Sequence, residues 1–239
     1  MSSGWAMRRF WSAAEAEEVA GGYRVTLDGK PVRTPAKAQL LLPTRDYAAA
    51  IAEEWQAQDE TIDPTSMPMT RSANAAIDKL SVQHAEVADM LADYGDSDLL
   101  CYRADSPEEL VLRQAETWDP YLDWAASRYD ARLEPRTGLM HRPQDPTALE
   151  RLRSEVHAMD IFGLAAFHDL VSLTGSLVLG LAATAKQDAE AIWSASRLDE
   201  DWQAELWGAD EEATELAELK RQSFFDAIRA WRLSRLGRA

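Results

Sequence analysis

The stretch YRVTLDGKPVRT, residues 23–34, decides how the first part of the chain folds. Apolar side chains alternate with polar ones from Tyr23 to Leu27, which is the period of a β-strand with one buried face. Asp28 and Gly29 follow directly, and this pair favours the two-residue type I′ turn, in which both central residues need a positive φ. The stretch therefore predicts a β-hairpin.

The segments around the hairpin predict a small domain. Phe10 and Trp11 are expected in a strand before the hairpin, and Gln39–Leu42 in a third strand after it. Thr44 is the predicted N-cap of a helix whose apolar face carries residues four apart, namely Tyr47, Ile51 and Trp55. The run DPTSMPM, residues 63–69, is typical of a linker, so we expect an N-terminal domain at 1–66 and a second domain at 67–239.

Beyond that run the pattern is mainly helical. Thr70 is the expected cap of a helix that reaches Leu80, and Ser106 the expected cap of a helix broken near Pro120. Further helices are predicted at 82–94, 146–158, 162–173, 175–184, 186–195, 199–207 and 211–236, with a loop at 132–145. The predicted fold class is α+β, a small N-terminal β-rich α+β domain followed by a larger, mainly helical domain.

Composition restricts the partners. The 239 residues carry a formal net charge of −16, which disfavours nucleic acid and anionic membrane surfaces because both select basic patches. No apolar run is long enough for a membrane span, and the first residues have no apolar core of a signal peptide. Cys101 is the only cysteine, which suits a reducing compartment. These features favour a protein of a reducing compartment whose main partner is neither nucleic acid nor an anionic membrane.

Few residues are typical of an active site. His157, Asp160 and His168 are the best metal-ligand set, but HExxH and an evident third ligand are missing. Ser176 lies outside a GxSxG motif and is expected to start a closely packed helix. Cys101 lies between apolar residues, so a buried inert thiol is expected. No phosphate-binding glycine loop is present, and we expect no metal, cofactor or small-molecule substrate, with a metal-dependent hydrolase as the alternative.

The most acidic stretch contains two tryptophans. Between Arg197 and Glu218 nine carboxylates stand against Arg197 alone. Trp202 and Leu206 lie four apart, which predicts a buried helical stripe, whereas Trp207 and Gly208 mark the end of that helix. Two interpretations stay open at this point: a solvated helix face, or a surface that meets a partner.

Ordered motifs along the chain resemble one family, the assembly chaperones specific for the alpha subunit of the F(1) sector of ATP synthase. The resemblance rests on the order and spacing of the motifs together, over roughly residues 8–213. The matching pieces are RRFW (8–11), YRVTLDGKPVRTPAK (23–37), LPT (42–44), AIAEEWQAQ (50–58), MPMTRSAN (67–74), DLLCYRA (98–104), RQAETWDPYLDWA (113–125), GSLVLGLA (175–182) and LDEDWQAELWGADEEA (198–213).

This resemblance implies a non-enzymatic role. Such chaperones bind the free alpha subunit before it meets beta and so prevent its aggregation, and their fold joins a small α+β domain to a larger helical one. Members occur in mitochondria and in some bacteria, so the resemblance implies a bacterial cytoplasmic protein, or one of the mitochondrial matrix if the source is eukaryotic. A general acidic adaptor for basic proteins is the other alternative. Trp55 is also a candidate core anchor of its helix. The partner-binding residues that the resemblance implies are Glu54, Trp55, Glu205, Trp207, Asp210, Glu211 and Glu212.

Overall fold

The computed structural model describes residues 8–138 and 141–235, and its contacts divide the chain into two compact units. The first comprises the residues up to Gln83, Asp160–Ala166 and the residues from Arg229 onward. The second comprises His84–Met159 and Phe167–Ile228. A short strand region is followed by mostly helical chain, which confirms the α+β class. The domain boundary expected between residues 66 and 67 stays a prediction, and expectations about residues 1–7 concern positions outside the described ones.

The first unit contains the predicted hairpin. Strand β2 (Gly22–Leu27) pairs antiparallel with β3 (Lys30–Pro31) and with β1 (Ala14–Val19). The turn residues Asp28 and Gly29 have φ of 47° and 76°, which confirms the turn that requires positive φ at both positions.

The strand before the hairpin was predicted at Phe10 and Trp11, and this position was wrong. It is β1, sequence AEAEEV, and it begins after Phe10 and Trp11. Its glutamates have a low strand propensity, so the sequence alone does not predict a strand here. Pairing with β2 along the whole of β1 stabilises the strand instead. The third strand expected at residues 39–42 is reduced to isolated bridges, Tyr23 with Leu42 and Arg33 with Gln39.

Helix α1 (Arg45–Gln56) packs against β1 and β2 and buries Tyr47 and Ile51 completely. The Thr44 hydroxyl oxygen accepts the Tyr47 N–H at 3.1 Å, as an N-cap should, and this prediction is confirmed. Helix α2 (Pro68–Ala75) begins before Thr70, so the expected cap there was wrong. Proline is well suited to the first turn of a helix because its missing N–H has no acceptor there.

The remaining chain is mainly helical. Helix α4 continues through Pro120, contrary to the predicted break, because Trp118 and Leu122 on either side are buried and hold the helix in place. Strands β4 (Tyr102–Arg103) and β5 (Arg136–Thr137) pair in parallel. The helices are α3 (Ser81–Ala92), α4 (Glu108–Tyr129), α5 (Pro146–His157), α6 (Ile161–Thr174), α7 (Leu177–Thr184), α8 (Ala189–Ser196), α9 (Leu198–Trp207) and α10 (Glu211–Leu233).

The core of the second unit is closely packed around α7. Ser176 is fully buried and caps α7 by accepting the Leu179 N–H at 3.0 Å, which confirms the structural role expected for it. A Cβ on Gly180 would lie 2.7 Å from a methyl carbon of Val171, so only glycine lets α6 and α7 approach this closely. These contacts hold α6 and α7 together in the core of the second unit.

Candidate functional site

Helix α9 separates the two tryptophans of the acidic stretch. Trp202 is buried, which confirms its predicted place in the core. Trp207, the last residue of the helix, is 82% exposed. Gly208 ends the helix with φ of 91°, a value that favours glycine. An exposed indole at the end of a helix is therefore a candidate contact for a partner.

Five of the nine acidic side chains have partners within the chain, including Glu200 with Arg197 and Glu218 with Arg221. Glu205 accepts two hydrogen bonds from Arg113, at 2.6 and 2.7 Å, and the pKa of its carboxyl is lowered chiefly by this contact. Asp210 accepts the Glu212 N–H at 3.0 Å and so caps α10. Asp199 accepts from the Gln114 amide at 2.7 Å. These carboxylates therefore stabilise α9 and α10 through contacts within the chain.

Other carboxylates of the same stretch form no ion pair within the described chain, although Asp201 interacts electrostatically with Arg113. Among residues 8–138 and 141–235, no ion pair reaches Asp201, Glu211, Glu212 or Glu215. Glu211 and Glu212 stand in the first turn of α10, where the positive end of the helix dipole favours negative charge. Their charge is therefore available to a basic partner.

Exposed apolar side chains accompany these carboxylates. Leu206 precedes Trp207 and is 56% exposed, so its predicted place beside Trp202 in a buried stripe was wrong. Leu216 and Leu219 on α10 are 52% and 68% exposed. Single exposed leucines are ordinary on protein surfaces, but a succession of them beside an exposed indole is typical of an interaction surface. We call residues 205–219 the α9–α10 junction.

Glu54 and Trp55 belong to the other unit and form a separate candidate. Glu54 is buried, and its carboxylate accepts hydrogen bonds from Met69 N at 2.6 Å and from Thr70 N and Oγ1 at 2.8 and 2.6 Å. Burial raises the pKa of this carboxyl, against these hydrogen bonds. The arrangement favours a structural role for Glu54 at the start of α2, and a partner contact there stays a prediction.

Trp55 is half-buried and packs edge-on against the buried Trp11, with ring centroids 5.2 Å apart. In the described part of the chain, neither indole N–H has a hydrogen-bond acceptor. The half-burial matches neither a full core anchor nor a freely presented contact residue. The role of Trp55 in binding stays a prediction.

The residues considered for metal binding are used in local contacts. His157 Nε2 lies 2.9 Å from Asp89 Oδ1, and His168 Nδ1 lies 3.0 Å from Asp169 Oδ1. Asp160 accepts the Gly163 N–H at 2.8 Å. In the described ranges, no three His, Cys, Asp or Glu side chains are grouped to hold a metal ion.

Cys101 is buried, and its burial raises the pKa of the thiol to about 12, so the reactive thiolate is disfavoured. Over the same described residues, no helix is both long and apolar enough to cross a bilayer.

Comparison with known proteins identifies the family. A family model described as "ATP12 chaperone protein" matches residues 8–126. The crystal structure of Atp12 from Paracoccus denitrificans is 52% identical, with a TM-score of 0.92, and the match covers 95% of this chain and 98% of that one. The chain belongs to the ATP12 chaperone family.

Two further relatives extend the family match. The Atu1473 protein of Agrobacterium tumefaciens is 40% identical, with a TM-score of 0.91 over 95% of this chain and 85% of that one. The mitochondrial protein atp12 of Schizosaccharomyces pombe is 24% identical over 222 residues, which are 87% of this chain and 76% of the relative. ATP12 proteins are chaperones of ATP synthase assembly, so membership implies a non-enzymatic role and a protein partner in that complex.

Sequence reasoning missed several residues of the candidate site at the α9–α10 junction. Arg113 was not singled out, because a contact across 92 positions leaves no local pattern. Leu216 and Leu219 were overlooked because the count of charges dominated the segment, although their spacing of three was visible as one helical face.

Proposed function

We propose that this ATP12-family chain binds the free alpha subunit of the F(1) sector of ATP synthase and prevents its aggregation before alpha pairs with beta. The observation that carries the proposal is the α9–α10 junction, where the 82% exposed Trp207 stands beside carboxylates that have no cation in the described chain. An assembly intermediate exposes the apolar surface that its later partner will cover. A chaperone that shields such a surface needs apolar contacts of its own.

The charge of the junction suits temporary binding. Electrostatic attraction raises the rate of encounter and selects the partner, whereas it contributes less to final affinity. A chaperone must release its client, so a contact with few apolar anchors and many solvated carboxylates is appropriate. Within the sequence-predicted set, Trp207, Glu211 and Glu212 are the proposed direct contacts, and Asp210 and Glu205 support them from their places in the chain's own hydrogen bonds.

The relatives bear on the compartment in which this happens. The fission-yeast relative is named as mitochondrial, and the Paracoccus protein is bacterial. We propose the cytoplasm of a bacterium for this chain, with the mitochondrial matrix as its equivalent in a eukaryote.

Co-expression tests the proposal. The alpha subunit of the same organism is expressed alone, with this chain, and with this chain plus beta, and beta alone with this chain is the matched control. We expect soluble alpha and a co-purifying complex only when this chain is present, and displacement of this chain when beta is added. Unchanged alpha solubility without a complex would refute the proposal.

Salt dependence separates this function from that of a general acidic adaptor. At physiological salt, the attraction between exposed charges is largely screened beyond about 8–10 Å, and this distance shortens as salt rises. Binding by a general acidic adaptor should therefore collapse at high salt for every basic protein tested. A specific complex should retain an apolar component at high salt and prefer alpha to beta. Equal binding of alpha, beta and an unrelated basic protein would favour the adaptor.

A further inference from the structure

Helix α10 has two unlike halves. Its later part buries Phe224, Ala227 and Ile228 in the core. Its earlier part, residues 211–223, contains no buried residue at all. An isolated helical segment of this length is only marginally stable in water, so continuity with the buried part holds it in shape. The helix therefore presents a preformed segment whose every face reaches solvent.

The exposed leucines lie toward one edge of the core-facing side of α10, since Leu216 is about 20° around the helix from the buried Ala227 and Leu219 about 20° from the buried Ala230. At about 100° per residue, Leu216 lies about 80° and Leu219 about 140° around the helix from Phe224. Ala217 lies seven positions before Phe224 and continues the buried face, and it is already half-buried. Leu216 and Leu219 thus form an apolar strip at the edge of that side, which the earlier part of α10 leaves exposed.

Carboxylates border this strip on the same side of the helix. Glu212 is four positions from Leu216, and Glu215 is four positions from Leu219, so both lie next to the leucines. Glu212 and Glu215 have no ion pair within the described chain. Arg221, by contrast, forms ion pairs with Glu190 and Glu218, and it lies on another side of the helix. The exposed leucines and the two unpaired glutamates therefore lie on a different side of α10 from Arg221 and its ion pairs.

We infer that Glu212, Glu215, Leu216 and Leu219 form a helical docking face that enters an apolar groove with a basic rim on the client. The inference rests on the proposed function, since that client is the free alpha subunit. Amphipathic helices bind grooves through anchors three or four residues apart, as Leu216 and Leu219 are. The two unpaired glutamates require cations beside the groove, and the net charge of −16 makes such a partner favourable.

A second copy of this chain is a poor occupant for the same face. A symmetric dimer would place identical patches against each other. Glu212 and Glu215 of the two copies would then meet like charges, with only Lys220 beside Leu216 to offset them. A basic-rimmed groove on a different protein satisfies both the leucines and the glutamates.

The test removes the apolar strip without adding charge or breaking the helix. Leu216→Gln and Leu219→Gln are combined, because glutamine is a good helix former. Val82→Gln with Met90→Gln is the matched control, since both residues are exposed apolar side chains on α3. Each variant is compared with wild type for affinity to purified alpha subunit, for suppression of alpha aggregation by light scattering, and for thermal unfolding.

We expect at least a tenfold weaker affinity for alpha in the α10 variant, with an unchanged melting temperature, and less than a twofold change in the control. Wild-type affinity in the α10 variant would overturn the docking face and leave the proposed function standing. Absence of alpha binding by the wild-type chain would instead overturn the proposed function and this inference with it. A concentration-dependent wild-type dimer that the α10 substitutions convert to monomer, measured by light scattering on a sizing column, would assign the face to self-association and overturn the inference.

Discussion

Arg113 on α4 and Glu205 on α9 form an ion pair with two parallel hydrogen bonds, Nη1 to Oε2 at 2.6 Å and Nη2 to Oε1 at 2.7 Å. The guanidinium carbon also lies 5.7 Å from the ring centroid of the buried Trp202. Two parallel bonds fix direction as well as distance. Glu205 is therefore a positioning residue for the end of α9, and its next two neighbours along the chain are the exposed Leu206 and Trp207.

The first prediction separates positioning by Glu205 from direct contact. Arg113→Ala should weaken alpha binding as much as Glu205→Ala, because either change releases the end of α9. Each should lower the free energy of unfolding only slightly, since both side chains are about half exposed and solvent screens the pair. A double-mutant cycle on alpha affinity measures the coupling between the two positions.

The exchange Arg113→Glu with Glu205→Arg completes this test. It should restore much of the affinity lost in either single charge reversal, because the pair can form again in the opposite sense. Arg132→Ala is the control, since Arg132 makes a longer, 3.3 Å exposed pair with Asp123 on the same unit. If Arg113→Ala binds alpha normally while Glu205→Ala does not, Glu205 contacts the client itself.

The second prediction concerns the two tryptophans of α9. Trp202→Ala should lower the free energy of unfolding by about 3–5 kcal/mol, because it empties a buried site. Trp207→Ala should change stability by less than about 0.5 kcal/mol, because the side chain is already in water. Chemical denaturation measures both, and affinity for alpha should fall for Trp207→Ala without any loss of folded protein. A Trp207→Ala protein that is folded and binds normally would remove this residue from the proposed site.

Much of the fold followed from local patterns. The alternation before Asp28 and the turn chemistry of Asp28-Gly29 predicted the hairpin, and the period of the helices predicted their order. The pattern failed where a long-range contact outweighed local preference. Strand β1 is rich in glutamate yet pairs with β2, and α4 continues past Pro120 because its neighbours are buried. Tertiary packing contributes more than propensity in both cases.

The candidate site was predictable in region but not in detail. The many carboxylates and the two tryptophans indicated residues 197–218 as a candidate region. The helical period and the following Gly208 also predicted a core position for Trp202 and a position at the helix end for Trp207. The sequence does not distinguish a carboxylate that is paired from one that is free. Glu205 and Glu211 look alike in the sequence, yet within the described chain Glu205 has an arginine opposite it, on a helix 92 positions away, and Glu211 has none.

The third prediction assigns Glu54 to structure. Glu54→Gln replaces one acceptor oxygen by an N–H donor, which then faces a backbone N–H or the Thr70 hydroxyl at the start of α2. We expect a loss of about 1–3 kcal/mol in the free energy of unfolding, because a buried polar group loses its partner. Urea denaturation measures this change. Glu53→Gln is the neighbouring control, since Glu53 is exposed and its ion pair with Arg229 is 3.7 Å long.

Binding decides between the two roles of Glu54. At a temperature where Glu54→Gln is fully folded, its affinity for alpha should equal that of wild type. A folded Glu54→Gln protein with weakened binding would restore Glu54 to the partner surface that the family resemblance implies.

The fourth prediction uses Asp98, a fully buried carboxylate in the second unit. Its oxygens accept the N–H groups of Leu100 and Val178, both at 3.0 Å, and so tie a short helical turn to the start of α7. Desolvation raises the pKa of Asp98 from 3.8 to about 6, against the hydrogen bonds that favour the ionised form. Between these two pH values the folded protein binds more protons than the unfolded chain.

Stability should therefore fall as pH rises from about 4 to about 6, because a group with a raised folded pKa loses its relative stabilisation as it ionises. At 1.36 kcal/mol per pKa unit, this contribution is about 3 kcal/mol. Asp28, Asp63, Asp89 and Glu205 have lowered pKa values and act in the opposite direction at lower pH, where stability falls with acidification.

Subtraction isolates Asp98 from these groups. Free energies of unfolding are measured by urea denaturation at intervals from about pH 3.5 to about pH 7.5 for wild type and for Asp98→Asn, which cannot ionise. The other carboxylates are present in both proteins, so the difference between the two curves should reflect Asp98 alone. We expect wild type to lose stability relative to Asp98→Asn as pH rises from about 4 to about 6, with the difference levelling off above about pH 6. A constant difference over this range would show that Asp98 stays ionised in the folded protein, with its hydrogen bonds outweighing its burial.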